Sequence, residues 1–311
     1  MKGAKQGMYK TILSLFEVAI VAAVWAGSGS CQMPVDVEKA MANKQYLAAL
    51  EIYEKMPRRR RTTSSAVAAA KSAWALGLSN YAKEEFDRAI ELGELKHDLT
   101  PLDKVRIFFS KAVIEFQSGN FNLCIEYCES ALKLLNGEGP LKGQILMLMG
   151  DSYLKLRKYA KAEKSYTAAV KRLNGEDKVD GLYAVAWVQY NIGKYEQASR
   201  NLKKIPLYSV KSPLAIRLLA LIALEKEDFE RLVFWLNKGK EQFPDEFLDS
   251  WVNYALMIGY IGLDQKAEVA KLRKATSEKY PSSDPWVILL NARAEEYEWE
   301  NVERKARLIV R

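Results

Sequence analysis

The residues that most often do chemistry in proteins are scarce and scattered in this chain. Its 311 residues include a single histidine, His97, and three cysteines. Asp98 follows His97 directly, but neighbours in sequence do not thereby form a catalytic pair, so a solvated histidine between helices is expected. Cys124 and Cys128 lie one helical turn apart, and a closed zinc site would need two further ligands. We therefore predict two buried thiols, no metal site and no cofactor.

Other catalytic patterns are equally weak. The segment 136–140 contains two glycines, but it lacks the preceding strand and the lysine of a phosphate-binding loop. Carboxylates are plentiful, and their spacing defines no acid and base pair that could hydrolyse a glycan. The sequence therefore predicts no catalytic residues and a protein that is not an enzyme.

The formal net charge is +8, and one basic run stands out. It consists of Arg58, Arg59, Arg60 and Arg61, which follow Met56 and Pro57. Two interpretations stay open. The run is either a solvated loop or a contact with anionic lipid headgroups, worth about 1 kcal/mol per basic residue. Aromatic residues do not interleave with these arginines, so no nucleic-acid partner is predicted.

The first 30 residues have the composition of a secretory signal. Basic residues open the chain at Lys2, Lys5 and Lys10. An apolar stretch of 16 residues, Thr11–Ala26, comes next and is followed by the small residues at 27–30. Sixteen residues are too few to cross a bilayer comfortably, and Glu17 would be costly at its centre. We predict that 1–30 is a signal segment that is removed.

A cysteine, Cys31, follows the small residues directly. This arrangement resembles the signal of bacterial lipoproteins, in which that cysteine becomes lipidated and forms the new N-terminus. The resemblance implies Cys31 as the lipid anchor, with a fatty acyl chain such as palmitate, and a place in the bacterial cell envelope facing the periplasm or the surface. Ordinary cleavage after Ser28 and an uncleaved anchor stay open as alternatives.

Aromatic residues recur along the rest of the chain at a nearly constant interval, each at the predicted start of a helix. They are Tyr46, Tyr81, Phe121, Tyr159, Tyr195, Phe229 and Trp299, with one aromatic-free position near Asp264. Successive steps lie between 34 and 40 residues. Such a period indicates a stack of similar supersecondary units, each of which needs its neighbours to bury its apolar face.

The best-formed copy is Leu146–Asn174. Its spaced small and aromatic residues are Gly150, Tyr153, Tyr159, Ala162, Tyr166 and Ala169. This pattern resembles a tetratricopeptide repeat. The resemblance implies an all-α, right-handed superhelical solenoid of antiparallel helix pairs over 31–311. We expect seven to eight repeats, the best formed within 106–244 and degenerate ones at both ends.

In tetratricopeptide proteins the first helix of each pair lines the concave surface, so the resemblance assigns a partner-binding set. The set is Phe109, Phe116, Met147, Asp151, Leu154, Tyr183, Trp187, Tyr190 and Asn191. This face is largely apolar and aromatic, and it lacks the lysine and asparagine pattern that clamps peptide carboxylates. Its occupant could be a helix or peptide of a partner, a small apolar ligand, or the next turn of the same superhelix. The helix at 215–224 is apolar nearly all round, which indicates burial on both sides.

These observations predict a cell-envelope lipoprotein that is a scaffold for protein–protein interaction. The alternative is an accessory ligand-binding subunit of an envelope transporter, with an enclosed apolar cavity. The predicted partners are another protein or peptide, and the membrane through the N-terminal lipid. Because Leu308, Ile309 and Val310 have no further helix to cover them, association of solenoids end to end is also conceivable.

Overall fold

A computed structural model describes residues 33–309, and fifteen α-helices form within that range without any strand. The helices are α1 (Pro34–Ala42), α2 (Tyr46–Lys55), α3 (Thr63–Ala75), α4 (Ser79–Lys96), α5 (Pro101–Gln117), α6 (Phe121–Leu134), α7 (Pro140–Lys155), α8 (Tyr159–Val170), α9 (Gly175–Asn191), α10 (Tyr195–Leu202), α11 (Ser212–Glu225), α12 (Phe229–Gln242), α13 (Ser250–Gly262), α14 (Lys266–Lys279) and α15 (Pro285–Ile309). Short 3-10 turns lie at Arg58–Arg60 and Asp245–Phe247. The all-helical prediction is confirmed.

The first fourteen helices form seven antiparallel pairs, α1 with α2 through α13 with α14. Every extensive contact within 33–309 joins helices that are at most two apart along the chain. Most first helices contact the next first helix, as α1 does α3 and α7 does α9, whereas second helices make no comparable contact with the next second helix. First helices are therefore closer together, and the stack curves with them on its inner side.

The turn between the two helices of each pair is the same in all seven pairs. One residue in each turn has a positive φ: Lys44, Gly77, Gly119, Arg157, Gly193, Glu227 and Asp264. The amide of the next residue then donates to a carbonyl five positions earlier, as Lys158 N does to Tyr153 O at 2.8 Å. This is a Schellman motif, which satisfies the last carbonyls of the first helix and reverses the chain.

The connections between pairs lie along one edge of the stack, the connection edge. It comprises 56–62, 97–100, 135–139, 171–174, 203–211, 243–249 and 280–284. Polar contacts join several connections to residues at or beside a neighbouring one. Thr63 Oγ1 at the start of α3 donates to Asp98 at 2.6 Å, and Ser250 Oγ donates to Asp284 at 2.8 Å. The first helices, including α1 directly after Met33, all begin at this edge.

Small residues allow the helices of a pair to approach, as the repeat pattern predicts. A Cβ on Gly150 in α7 would lie 2.6 Å from the ring of Tyr166 in α8, which is closer than any real contact. Tyr166 and Ala162 are completely buried. The close packing of ring against backbone therefore needs glycine at this position.

Two features of the C-terminal end differ from the sequence analysis. Trp299 lies inside α15 and is 74% exposed, so the prediction that it begins a helix is wrong. The described chain thus has seven complete pairs and one additional long helix, whose Leu290 and Ala294 pack on α13 through Met257. The exposed Leu47 at the other end shows a similarly open flank. Side chains beyond Arg307 lie outside the described residues, so the predicted end-to-end association stays a prediction.

Candidate functional site

Three aromatic side chains of α9 form the centre of the inner face. Tyr183, Trp187 and Tyr190 are all half-buried and pack on the core between α9 and α11. The ring centroids of Trp187 and Tyr190 are 6.1 Å apart, and that of Tyr195 lies 5.8 Å from Tyr190. Burial raises the pKa of Tyr183 to about 12, so this hydroxyl stays neutral at physiological pH. The cluster therefore presents partly exposed rings whose inner edges pack on the core.

Contacts along the inner face extend this aromatic surface from α9 to α15. The Tyr190 hydroxyl donates to Glu225 of α11 at 3.4 Å, and the Arg217 guanidinium of α11 lies 5.7 Å above the Trp251 ring of α13. The Tyr254 ring of α13 is 5.2 Å from that of Trp286 of α15. We call this surface the aromatic wall. Its members are Tyr183, Trp187, Tyr190, Trp251, Tyr254 and Trp286.

Sequence analysis did not place the wall residues of α13 and α15 on the inner face. Trp251 and Tyr254 are three residues apart, as are Trp187 and Tyr190. Spacing of three puts each pair on one face of its own helix. The signal that could have assigned Tyr254 to the inner face is its register, because it lies ten residues before the turn residue Asp264, as Tyr183 lies ten residues before Gly193. Trp286 is 37% exposed and is the most C-terminal member.

Apart from Asp151, the predicted residues on α5 and α7 are apolar and half-buried. Phe109 and Phe116 are half-buried, and the ring of Phe116 meets that of Phe121 edge-on at 5.5 Å. Met147 and Leu154 are half-buried against the core formed with α8 and α9. Asn191 is exposed at the end of α9, where its side-chain amide donates to Trp187 O at 2.6 Å. The structure brings the predicted residues onto consecutive first helices, and their role in binding stays a prediction.

Asp151 is the one acidic residue of the predicted set. It lies on α7, where its carboxylate accepts a hydrogen bond from the Tyr166 hydroxyl at 2.6 Å. Burial raises the pKa of Asp151 to about 6, although the hydrogen bond from Tyr166 and the charge of Lys155 act in the opposite direction. Desolvation therefore dominates. The surroundings of Asp151 thus disfavour the charged form of its carboxyl group.

The helix α11 is buried on both sides, as predicted. Leu218, Leu219 and Ile222 pack toward α9 and α10, while Ile216 and Ala220 pack toward α12 and α13. This burial comes from the adjacent pairs of the stack. Since extensive helix contacts within 33–309 join only near neighbours along the chain, a later superhelical turn does not fill the groove in this range.

The thiols and the histidine are where the sequence analysis put them. Cys124 and Cys128 are completely buried, as predicted, and the hydrogen bond with Cys124 together with burial raises the pKa of the Cys128 thiol. Ser152 Oγ donates to Cys124 Sγ at 3.1 Å. His97 is exposed where α4 ends, with a left-handed backbone at φ 55°. Among residues 33–309, no group of three or more His, Cys, Asp or Glu side chains is placed to hold a metal ion.

The arginine run divides into two parts. Arg58, Arg59 and Arg60 form the 3-10 turn on the connection edge and are exposed. Arg61 is only 7% exposed, with its guanidinium carbon 4.2 Å from the Tyr53 ring centroid and 3.6 Å between its Nη2 and Glu54. The prediction that Arg61 contacts a membrane surface is therefore wrong. Its long side chain is drawn inward because it covers an aromatic ring.

Two clefts in the described part of the chain are lined largely by polar and charged side chains. The larger, of about 590 Å³, is an open depression beside the arginine turn, lined by charged side chains that include Glu54, Arg58 and Arg88. The smaller, of about 40 Å³, lies between α10 and α12 and has Glu196, Lys203 and Arg231 in its lining. Neither is a large, enclosed apolar cavity of the kind that the transporter-subunit alternative requires. Between residues 33 and 309 no helix is sufficiently long and apolar to span a membrane.

Comparisons with known proteins agree with this architecture. A family model described as tetratricopeptide repeat matches residues 147–204, which cover most of α7 through α10. The C-terminal part of a tetratricopeptide-repeat protein from Cytophaga hutchinsonii matches with a TM-score of 0.67 and 14% identity, over 83% of this chain and 99% of that chain. A tetratricopeptide repeat protein from Parabacteroides merdae matches with a TM-score of 0.50 and 15% identity, over 76% of this chain and 87% of that chain.

Residues 147–204 thus match the tetratricopeptide-repeat family, and the described chain has the fold of a tetratricopeptide-repeat solenoid, built from antiparallel helix pairs. Proteins of this class generally act as scaffolds without catalytic activity of their own, and they bind other proteins or peptides on the extended concave surface that their curvature creates. The predicted signal segment 1–30 and the predicted lipid anchor Cys31 lie outside the described residues.

Proposed function

We propose that this protein is a non-enzymatic scaffold of the bacterial cell envelope that binds a partner protein on its aromatic wall. The observation that carries the proposal is the extent of the wall, whose aromatic members lie on α9, α13 and α15 and are linked across α11 by contacts of Glu225 and Arg217. Half-buried aromatic rings supply large contact area at a low entropic cost, and tryptophan and tyrosine are the residues most often found at binding hot spots. An apolar helix or peptide segment of a partner fits such a surface.

A comparison of matched variants tests the wall. Replacing Trp187 and Tyr190 with alanine should weaken partner capture from the protein's own cell envelope by tenfold or more, since a hot-spot side chain contributes about 2 kcal/mol or more. Phe234 is a suitable control because it is 55% exposed on the second helix α12. Phe234→Ala should leave capture unchanged. Equal loss in both variants, or no loss in either, would contradict the assignment of the binding face.

We propose in addition that Cys31 carries a lipid and that Arg58, Arg59 and Arg60 touch the membrane surface. The motif of basic, apolar and small residues before Cys31 supports the first part. The second is supported by position, because the arginine turn belongs to the first connection of the edge at which α1 begins. Met33 is two residues beyond Cys31, a reach of about 7 Å in extended chain.

Metabolic labelling with a fatty acid analogue tests the anchor. Cys31→Ser should abolish the labelled band and the partition into detergent, while Cys128→Ser, which alters a buried thiol, should retain both. A labelled band that persists in Cys31→Ser would show that another residue accepts the lipid or that none is attached at this site.

A further inference from the structure

The connection 203–211 is unlike the rest of the connection edge. The helix before it, α10, has only eight residues, and the chain then turns through nine residues before α11 begins. Three apolar side chains project from this turn into solvent: Leu207 is 46% exposed, Tyr208 88% and Val210 80%. Large apolar side chains clustered at such exposure mark an interaction site more often than single ones do.

The turn is fixed in this outward-facing arrangement. Ser209 and Ser212 are buried, and so is Ile205 at its base. Ser209 N donates to Pro206 O at 3.1 Å, and Ser209 Oγ donates to Glu176 at 3.2 Å. In this turn two serines thus point inward while the three large apolar side chains of the tip point outward. Because hydrogen bonds hold the base, Tyr208 and Val210 cannot fold back onto the core without breaking them.

Lysines flank the apolar tip on both sides. Lys203 and Lys204 are exposed before it, and Lys211 after it contacts Asp180 at 3.3 Å. An apolar tip that carries tyrosine and is bordered by lysines matches the chemistry of a bilayer interface. Apolar groups enter the acyl boundary there, tyrosine sits at the headgroup level and lysines meet anionic headgroups. A typical protein interface instead has lysine depleted from its surface.

We propose that the connection 203–211 inserts its tip, Leu207, Tyr208 and Val210, into the interfacial layer of an anionic lipid bilayer. This proposal rests on the proposed location at the membrane and adds a second contact with the bilayer. The tip shares the connection edge with the exposed arginine turn and with the start of α1, which follows Cys31. An attachment at the N-terminus and a second one at the fifth connection would together turn this edge toward the membrane, because a single weak anchor leaves orientation unconstrained.

A depth measurement at the tip tests the proposal in the full chain. Cys31→Ser removes the reactive thiol at the N-terminus, and Cys124 and Cys128 are buried, so a nitroxide label attaches only to an introduced cysteine. The label is placed by Tyr208→Cys. The matched control is Leu78→Cys, at a residue that is 49% exposed in a turn at the opposite edge. Vesicles contain phosphatidylglycerol and phosphatidylcholine in equal amounts.

With vesicles, accessibility to oxygen relative to a water-soluble nickel chelate should rise at position 208 and stay unchanged at position 78. Both proteins carry the same Cys31→Ser substitution, so any contribution of the N-terminus is equal in the two, and the difference reports the tip alone. Lys203→Gln and Lys204→Gln should each lower the inserted fraction, at low occupancy, by about fivefold, from about 1 kcal/mol per basic residue.

Equal accessibility at the two positions would overturn the proposal. So would immobilisation of the label at 208 without lipid as the protein concentration rises, since that result would make the tip a protein interface. Neither result bears on the aromatic wall or on lipid labelling of Cys31, which are measured separately.

Discussion

Replacing Asp151 with asparagine tests the electrostatics of the inner face most sharply. The carboxylate accepts the Tyr166 hydroxyl at 2.6 Å, and burial raises its pKa from an ordinary 3.8 to about 6. Asparagine keeps an oxygen that can accept the same hydrogen bond but carries no charge. The substitution therefore removes the cost of ionising a buried carboxyl group while preserving the packing against α8.

The expected magnitude follows from the change in pKa. A rise of about two units corresponds to about 3 kcal/mol, at about 1.36 kcal/mol per unit. Because the folded-state pKa of Asp151 is the higher one, the native protein binds the proton more tightly than the unfolded chain does. The protonated form contributes its full stability below about pH 4. That contribution is lost as the pH rises through about 6, so Asp151→Asn should gain stability over the natural protein across this window.

Urea unfolding followed by circular dichroism from pH 4 to pH 8 measures the effect. The difference in unfolding free energy between Asp151→Asn and the natural protein should grow by about 2 to 3 kcal/mol over that range. Asp245→Asn, at an exposed residue in the connection after α12, is the control and should show no such growth. A difference that does not change with pH would refute the desolvation argument.

The other predictions concern the turns, the helix contacts and the arginine run. Arg157 has a φ of 57°, which glycine adopts without strain, so Arg157→Gly should raise the unfolding free energy by up to about 1 kcal/mol. Gly193 has a φ of 76°, so Gly193→Ala should lower the unfolding free energy by about 1 kcal/mol. Denaturant unfolding of both variants measures these changes, and changes of the same sign would contradict the prediction. Gly150→Ala should lower the unfolding free energy by about 1 to 3 kcal/mol in the same assay, because the added methyl group overpacks against the Tyr166 ring. An unchanged unfolding midpoint would show that this ring moves to make room. Arg61→Ala should lower the melting temperature by several degrees, because the side chain loses its packing on the Tyr53 ring. Arg59→Ala, at an exposed residue, should leave the melting temperature unchanged. Similar shifts in both variants would mean that Arg61 is not buried.

The period of the sequence was sufficient to predict the architecture. Small and aromatic residues at fixed spacing, such as Gly150 with Tyr166, predict helix pairs because ring and backbone must meet at each crossing. The period misled at the C-terminus, where Trp299 continues the numerical series without a turn before it. A turn needs a residue that tolerates a positive φ, and that requirement is only partly visible in sequence, since Arg157 and Asp264 serve as well as glycine.

The inner face could be assigned only as far as the repeat register was clear. On α9 the register was unambiguous, and Tyr183, Trp187 and Tyr190 lie together as expected. On α13 the small residues of the pattern are replaced, so Trp251 and Tyr254 were not assigned to the face. The buried state of Arg61 was equally hidden, because four consecutive arginines read alike until the fold brings one of them over a ring.

Crosslinking from the aromatic wall inside living cells tests the central claim most directly. A photoreactive phenylalanine analogue replaces Tyr190 on the wall or, in a matched variant, Phe234 on the second helix α12. The account predicts that illumination joins the chain to the same partner protein from position 190 in repeated experiments, and that position 234 gives no such product. Crosslinks of equal yield from both positions, or from position 234 alone, would contradict the assignment of partner binding to the inner face.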